Sequence, residues 1–379
     1  MVSFLTEDDE KLRSRILGTV EEAIAPIADE LDSSEETARE VVQTMGERGL
    51  LELVVPADMR HTSLRLTEVC LAREEIARWS LNADSLFAVQ GLFSYPIMLE
   101  GSGELRERYL GRTRAGTLVG AFSLTEREAG SDVGGIETTA QAEGESYRLR
   151  GVKRFTSNAG YADAYVVFAR TSAASRTGGI SAFVVEADVP GLATRPIHLV
   201  AEHPIGEVEL SDCLVPATAR LGEKGDGFRI AMGVLDFYRT TVGAAAVGVA
   251  QGALDEACDY ARQRRQFGRR IGSFQAVQFM VAEMATELEA ARLLVYSAAR
   301  VHDEGGEQFT RQSSMAKFFA SEAAFRTVDR AVQILGGNGL VRGSRVARFF
   351  RHVRPMRIYE GTSEIQRLVI ARSVLGKLD

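Results

Sequence analysis

Cysteine is scarce in this chain: three residues in 379, Cys70, Cys213 and Cys258, lie far apart. That spacing supports neither a disulfide framework nor a thiolate metal site. The five histidines are just as scattered and no H-E-x-x-H pair occurs, so no metal ligand set is expected. Lysine supplies only five of the 45 basic residues, which says little about function. No dense basic stripe appears and the net charge is −7, which argues against general nucleic-acid binding. Long apolar runs are missing too. The longest, Val242 to Ala250, is too short to cross a bilayer. The first residues turn acidic at Glu7, Asp8 and Asp9, unlike a secretory signal. A cytoplasmic protein in a reducing compartment, away from membranes, is therefore expected. No G-x-G-x-x-G follows an early strand and no G-x-x-x-x-G-K-[ST] occurs, so neither a Rossmann site nor a P-loop is supported.

What remains is an ordinary globular composition, 45% apolar and 26% charged, in a chain long enough for two or three domains. Its texture changes twice. From Asp8 to about Thr113 apolar residues recur at helical spacing, as in Leu12, Ile16 and Val20, or Thr67, Leu71, Glu75 and Ile76. From about Thr117 to Leu221 short β-rich runs alternate with turn residues: Leu118–Leu124, Tyr147–Leu149, Tyr165–Ala169, Ile180–Val185 and Glu207–Leu210. After Gly225 helical spacing returns over Phe228–Arg264, Phe274–Asp303, Thr310–Leu335 and Ser363–Leu375, with Gly336, Gly337 and Gly339 stopping the third of these. The expected fold is α+β: an all-helical N-terminal domain over 1–116, a middle antiparallel β-barrel or sandwich over 117–222, and a C-terminal four-helix bundle over 223–379. No internal repeat or low-complexity linker is visible. A ligand site is expected where the three regions meet.

Four segments stand out. The first is Ala121-Phe122-Ser123-Leu124-Thr125-Glu126-Arg127-Glu128-Ala129-Gly130-Ser131-Asp132, and the second Lys153-Arg154-Phe155-Thr156-Ser157-Asn158. The third runs from Arg264-Arg265-Gln266-Phe267-Gly268 to Phe274 and Gln275. The fourth is Gln333-Ile334-Leu335-Gly336-Gly337-Asn338-Gly339, followed by Ile358-Tyr359-Glu360-Gly361-Thr362-Ser363-Glu364-Ile365-Gln366. Together, in this order, they resemble the acyl-CoA dehydrogenase family of flavoproteins over nearly the whole chain.

The resemblance implies a set of roles. Phe122, Leu124, Thr125, Ser131, Phe155 and Ser157 would hold the flavin ring, a flat amphipathic plate that needs apolar faces and polar edges. Phe155 and Ser157 stand where the family often has tryptophan and threonine. Arg264, Gln266, Phe274, Gln275, Gln333, Gly336, Gly337, Thr362 and Glu364 would contact the rest of FAD, with a planar guanidinium suited to pyrophosphate. Glu360 would be the catalytic base. Ser131, Asp236, Arg239 and Gly361 would contact substrate. Plainer readings stand beside these: a strand with a core phenylalanine, a solvated arginine face over 262–270, a dipole-stabilised glutamate at a helix start, and an i, i+3 Asp–Arg pair.

Two departures from the family pattern are visible. Arg127 and Glu128 replace a usual proline and glycine at the expected mouth of the acyl site. Ala57 to Ser63 replace a glycine-rich turn after Val55-Pro56. The implied activity is FAD-dependent dehydrogenation of an acyl-CoA to a trans-2-enoyl-CoA, in fatty acid metabolism. Electron-transfer flavoprotein is the implied acceptor and a homodimer or homotetramer the implied assembly. The alternative is a dehydrogenase or oxidase acting on a carrier-protein-bound acyl thioester. A non-catalytic helical scaffold that has lost the flavin is the remaining reading.

Overall fold

The computed structural model describes residues 5–57, 64–173 and 175–376, so most of the Ala57–Ser63 departure lies outside the described residues. Six helices come first: α1 Glu7–Ala23, α2 Ala28–Leu31, α3 Arg39–Glu47, α4 Leu66–Ala77, α5 Leu81–Glu100 and α6 Gly103–Arg114. Strands follow: β1 Gly120–Ser123, β2 Thr139–Glu143, β3 Ser146–Ser157, β4 Ala164–Arg170, β5 Ile180–Glu186, β6 Leu192–Pro196, β7 Ile205–Pro216 and β8 Arg220–Leu221. The rest is helical around one small hairpin: α7 Gly227–Gln263, β9 Arg265–Gln266, β10 Arg269–Arg270, α8 Gln275–Asp303, α9 Phe309–Leu335, α10 Arg345–His352 and α11 Ser363–Leu375. No helix among the described residues is long and apolar enough to cross a membrane.

Contacts gather these elements into two compact units that cut across chain order. One comprises Met1–Ser33, Arg65–Asp84 and Asp236–Asp379; the other comprises Ser34–Leu64 and Ser85–Leu235. The second unit is built on the sheet, ordered β6-β7-β3-β2-β4-β5-β8. Most pairings are antiparallel, as the short turn-punctuated runs predict, but β1 lies parallel to β4 and β2 meets β4 at one parallel pair, Thr139 and Arg170. Ala121, Tyr165, Val167, Phe183, Val185, Val208 and Leu210 form its core. Two strands escape the periodicity. β2 reads Thr-Ala-Gln-Ala-Glu and β6 Leu-Ala-Thr-Arg-Pro, short polar runs that owe their place to the ladder of a neighbour rather than to their own hydrophobic pattern.

In the first unit α1 lies on α4, α4 on α8, and α8 along α9. Helix α4 is buried on every side, and its polar residues are matched rather than turned outward. Glu74 accepts from Arg13, Arg292 and the Tyr296 hydroxyl, and Glu75 from Arg13. The N–H groups of Leu66 and Thr67, orphaned at the helix start, are taken by Asp303 at 2.7 and 3.1 Å. Helix α7 runs so close to α4 that a Cβ on Gly248 would stand 2.1 Å from the Glu74 carbonyl oxygen.

Candidate active site

The last helix is entered through an unusual turn. Thr362 is its N-cap, accepting the Ile365 N–H at 3.3 Å. Just before it Glu360 and Gly361 both have positive φ, 52° and 90°. For a glutamate the left-handed region costs roughly 1–2 kcal/mol, so the surroundings must hold it there. Gln366 does so from inside the helix, its Nε2 donating to the carbonyls of Glu360 (3.3 Å) and Gly361 (2.9 Å). Lys317 Nζ donates to the same Gly361 carbonyl at 2.8 Å.

The turn leaves the Glu360 carboxylate beside several charged side chains. Its Oε2 is sealed from solvent and has no hydrogen-bond partner among the described residues. Burial raises the carboxyl's pKa, while the cations of Arg73, Lys317 and Arg239 pull it down and Asp84 adds to the rise; the net direction is upward. Arg73 is fixed by a bidentate pair with Asp84, 2.8 and 2.6 Å, and by the Thr241 hydroxyl at 2.8 Å. Arg239 pairs with Asp236 at 3.1 Å and donates to Ser314 at 3.2 Å. Asp236 in turn accepts from Thr310 at 2.9 Å. Two of the four residues assigned to substrate from the sequence thus tie α7 to α9, with Arg239 buried and Asp236 partly so.

The first two flavin segments lie together in the sheet unit. Between Lys153 and Thr156 strand β3 bulges away from β7, and Phe155, at φ 56°, is pushed half into the open. The displaced Arg154 N–H bonds the Thr125 carbonyl at 2.8 Å, which joins the loop after β1 to the bulge. Lys153, with no exposed side chain, reinforces the joint: its Nζ donates to the Leu124 carbonyl (3.1 Å) and to Glu126 (2.7 Å). Glu126 also accepts from the N–H groups of Glu137 and Thr138. Phe122 packs on Phe168, Ser123 bonds Thr156 at 2.8 Å, and Ser157 bonds His203 at 2.9 Å. Leu124 is buried, Thr125 half-buried and Ser131 exposed. At the family departure both Arg127 and Glu128 are exposed, and Arg127 reaches Glu207 at 3.6 Å.

The other two segments lie in the helical unit. Phe267 and Gly268 both have positive φ, as a two-residue type I′ hairpin turn between β9 and β10 requires. This turn lifts Phe267 to 93% exposure. Phe274 stacks edge-on against it and carries the Arg269 guanidinium over its ring at 4.2 Å. Arg264, Gln266, Gln275, Gln333, Gly336, Gly337 and Glu364 are all exposed. Asn338 bonds the Tyr260 hydroxyl at 2.8 Å, which brings the glycine turn beside the end of α7.

These residues fit a flavin dinucleotide. Each unit carries one exposed aromatic ring on left-handed backbone, Phe155 in the sheet unit and Phe267 in the helical unit. Arginines are exposed beside a glycine turn where a Cβ at Gly336 or Gly337 would meet nothing. A buried carboxylate oxygen waits without a partner. A three-part α–β–α chain with these features is that of a flavin-dependent oxidoreductase. Comparison with known proteins agrees with that class. The chain matches the acyl-CoA dehydrogenase N-terminal domain over 6–117, the middle domain over 121–213 and the C-terminal domain over 225–375. It is 38% identical to a probable acyl-CoA dehydrogenase, FadE25, of Mycobacterium tuberculosis, over 98% of this chain and 96% of that one. It is 40% identical to the caffeyl-CoA reductase–Etf complex subunit CarC of Acetobacterium woodii, over 94% and 95% of the two chains. The solved butyryl-CoA dehydrogenase of Megasphaera elsdenii superposes with a TM-score of 0.93 at 34% identity, covering 99% of this chain and 100% of that one. The chain belongs to the acyl-CoA dehydrogenase family, and it is an FAD-dependent enzyme of acyl-CoA dehydrogenation.

The sequence alone did not point to Arg73, Asp84 and Lys317 around Glu360, to the Lys153–Glu126 pair, or to His203 behind Ser157. One signal was available for the lysines. With only five in the chain, two are buried, Lys153 opening the second segment and Lys317 inside α9.

Proposed function

We propose that Glu360 removes the α-proton of an acyl-CoA thioester and that a trans-2-enoyl-CoA is released. The observation that carries this reading is the Glu360 Oε2 oxygen, buried, unpartnered and raised in pKa at the start of the last helix. An α-C–H is a weak acid, so its removal needs a base of raised pKa and a donor for the developing enolate oxygen. The Glu360 N–H, which bonds no acceptor among the described residues, is assigned to the thioester carbonyl. The chemistry that bound FAD supplies is acceptance of the β-carbon's hydride. Breaking the two C–H bonds leaves the new double bond, with the proton on Glu360. Phe122, Leu124, Thr125, Ser131, Phe155 and Ser157 are assigned to the ring. Arg264, Gln266, Phe274, Gln275, Gln333, Gly336, Gly337, Thr362 and Glu364 are assigned to the rest of the cofactor. Asp236, Arg239 and Gly361, with Ser131, are assigned to the substrate side.

Reduced cofactor is proposed to pass its electrons to an electron-transfer flavoprotein, a partner that the name of the CarC relative carries. The chains are proposed to assemble as a homotetramer built from two dimers, a reading supported by exposed apolar side chains such as Phe279, Leu340 and Val374. The proposed setting is fatty acid metabolism in the cytoplasm. Anaerobic bleaching of the flavin against short, branched and alicyclic acyl-CoAs, and against the same acyl groups on a carrier protein, tests the substrate. Rapid bleaching by a CoA thioester is expected. Bleaching by the carrier-bound form alone would move the enzyme to biosynthetic thioesters.

A further inference from the structure

Lys317 lies in the middle of α9 with none of its side chain exposed. Lysines are rarely buried to that degree unless an anion takes the charge, yet no carboxylate hydrogen-bonds this one. Among the described residues its ammonium makes one hydrogen bond, to the Gly361 carbonyl. The charged groups facing it are Glu360, Arg239, Glu322 and Glu364. Glu322 is occupied by Arg357 and Ser363, and Glu364 is exposed and paired with Arg367. Glu360 is the strongest of the neighbours that hold the lysine's proton. Seen from Glu360, the facing charges are Arg73 on α4, Asp84 on α5, Arg239 on α7 and Lys317 on α9. Arg73 and Arg239 are each committed to an aspartate, Asp84 and Asp236. Among the described residues, Lys317 is the one of the three cations with no carboxylate of its own.

We propose that Lys317 is a positioning residue for the base: its ammonium fixes the Gly361 carbonyl, and so the left-handed turn that aims Glu360, and its charge keeps the Glu360 carboxylate ionised inside the protein. The proposal rests on Glu360 being the base. Two features of the fold support it independently. A single carbonyl, that of Gly361, takes both Gln366 and Lys317, so the turn is clamped from its own helix and from α9. Burial also pulls the Lys317 pKa down to about 8, so its charge is present at neutral pH and is lost as the pH rises through that value.

Three substitutions separate the parts. Lys317→Met removes donor and charge, Lys317→Gln keeps a donor without charge, and Lys317→Arg keeps the charge. Flavin reduction by acyl-CoA is followed against pH, with the Glu360 carboxylate titrated by infrared difference spectroscopy and its band assigned from Glu360→Gln. For Lys317→Met, kcat on the plateau is expected to fall by about 10²-fold, the scale of a misplaced catalytic group, with KM little changed. Its acid limb and infrared titration are expected to move to higher pH. Lys317→Gln is expected to show the same move with kcat largely kept, and Lys317→Arg an unmoved limb. Should Lys317→Met not fold, Lys317→Gln carries the test alone. A limb and carboxylate titration unmoved in Lys317→Gln, or a normal plateau kcat in Lys317→Met, would overturn the proposal. If Glu360→Gln itself still reduced its flavin, the base assignment would fall instead.

Discussion

At the scale of the residue, the chemistry turns on how one carboxyl is held. Burial and Asp84 raise the Glu360 pKa while Arg73, Lys317 and Arg239 oppose the rise. The sign follows for activity. Below the raised pKa the carboxyl is protonated and cannot accept the α-proton; above it the base is ready. The acid limb of kcat/KM, which reports the free enzyme, is therefore expected to have its midpoint above the ordinary carboxyl value of 4.5. A midpoint at or below 4.5 in a pH series of anaerobic flavin reduction would show that the cations outweigh the burial. Glu360, the proposed base, was picked out in the sequence because Tyr-Glu-Gly-Thr is a contiguous motif. Arg73, Asp84 and Lys317 were not, because Arg73 and Asp84 stand on α4 and α5, far from Glu360 in the chain, Lys317 stands on α9, and nothing in local spacing reveals which cation a fold will bury.

At the scale of the element, β3 does most to arrange the flavin segments. Its bulge exposes Phe155, and the Lys153–Glu126 pair binds the bulge to the loop after β1. Neither partner of that pair is well solvated. Lys153→Met would leave Glu126 buried without its cation, at a cost of about 3–5 kcal/mol. Lower stability in urea titration and weaker retention of FAD are expected together. Full stability with full flavin would mean that the two backbone bonds to Glu126 suffice. The helices were largely legible: spacing and glycine stops placed α7, α8, α9 and α11 within a residue or two of their ends. Strands β2 and β6 were not, since an edge or polar strand is specified by its neighbour's hydrogen bonds. Nor was the short helix α10, eight residues long, whose N-cap Ser344 makes no side-chain capping bond.

At the scale of the whole molecule, exposure is the informative quantity. Arg264, Gln266, Phe267, Gln333 and the Gly336–Gly337 turn are open in the single chain, and the resemblance assigns them to FAD held mainly by a neighbouring subunit. A cofactor shared in this way favours the assembled state by mass action. Arg264→Ala is expected to lower FAD content and loosen the dimer together, by about 2–5 kcal/mol if the arginine is a desolvated partner of the pyrophosphate. Sedimentation velocity with flavin absorbance across a dilution series reads both. A monomer that keeps all its FAD would contradict the sharing. The α–β–α order was legible from changes of texture along the chain. The two compact units were not, because the first α-helical stretch is divided between them and sequence order does not report which helices pack together.

The central claim is that Glu360 is the base of an FAD-dependent acyl-CoA dehydrogenation. Anaerobic stopped-flow reduction of wild type and Glu360→Gln by the best acyl-CoA tests it most directly. The amide matches the carboxylate in shape and cannot take a proton, so the variant is expected to keep its yellow FAD. Its reduction should be slower by at least the roughly 10²–10⁴-fold typical of losing a general base. Bleaching of Glu360→Gln at the wild-type rate would contradict the account.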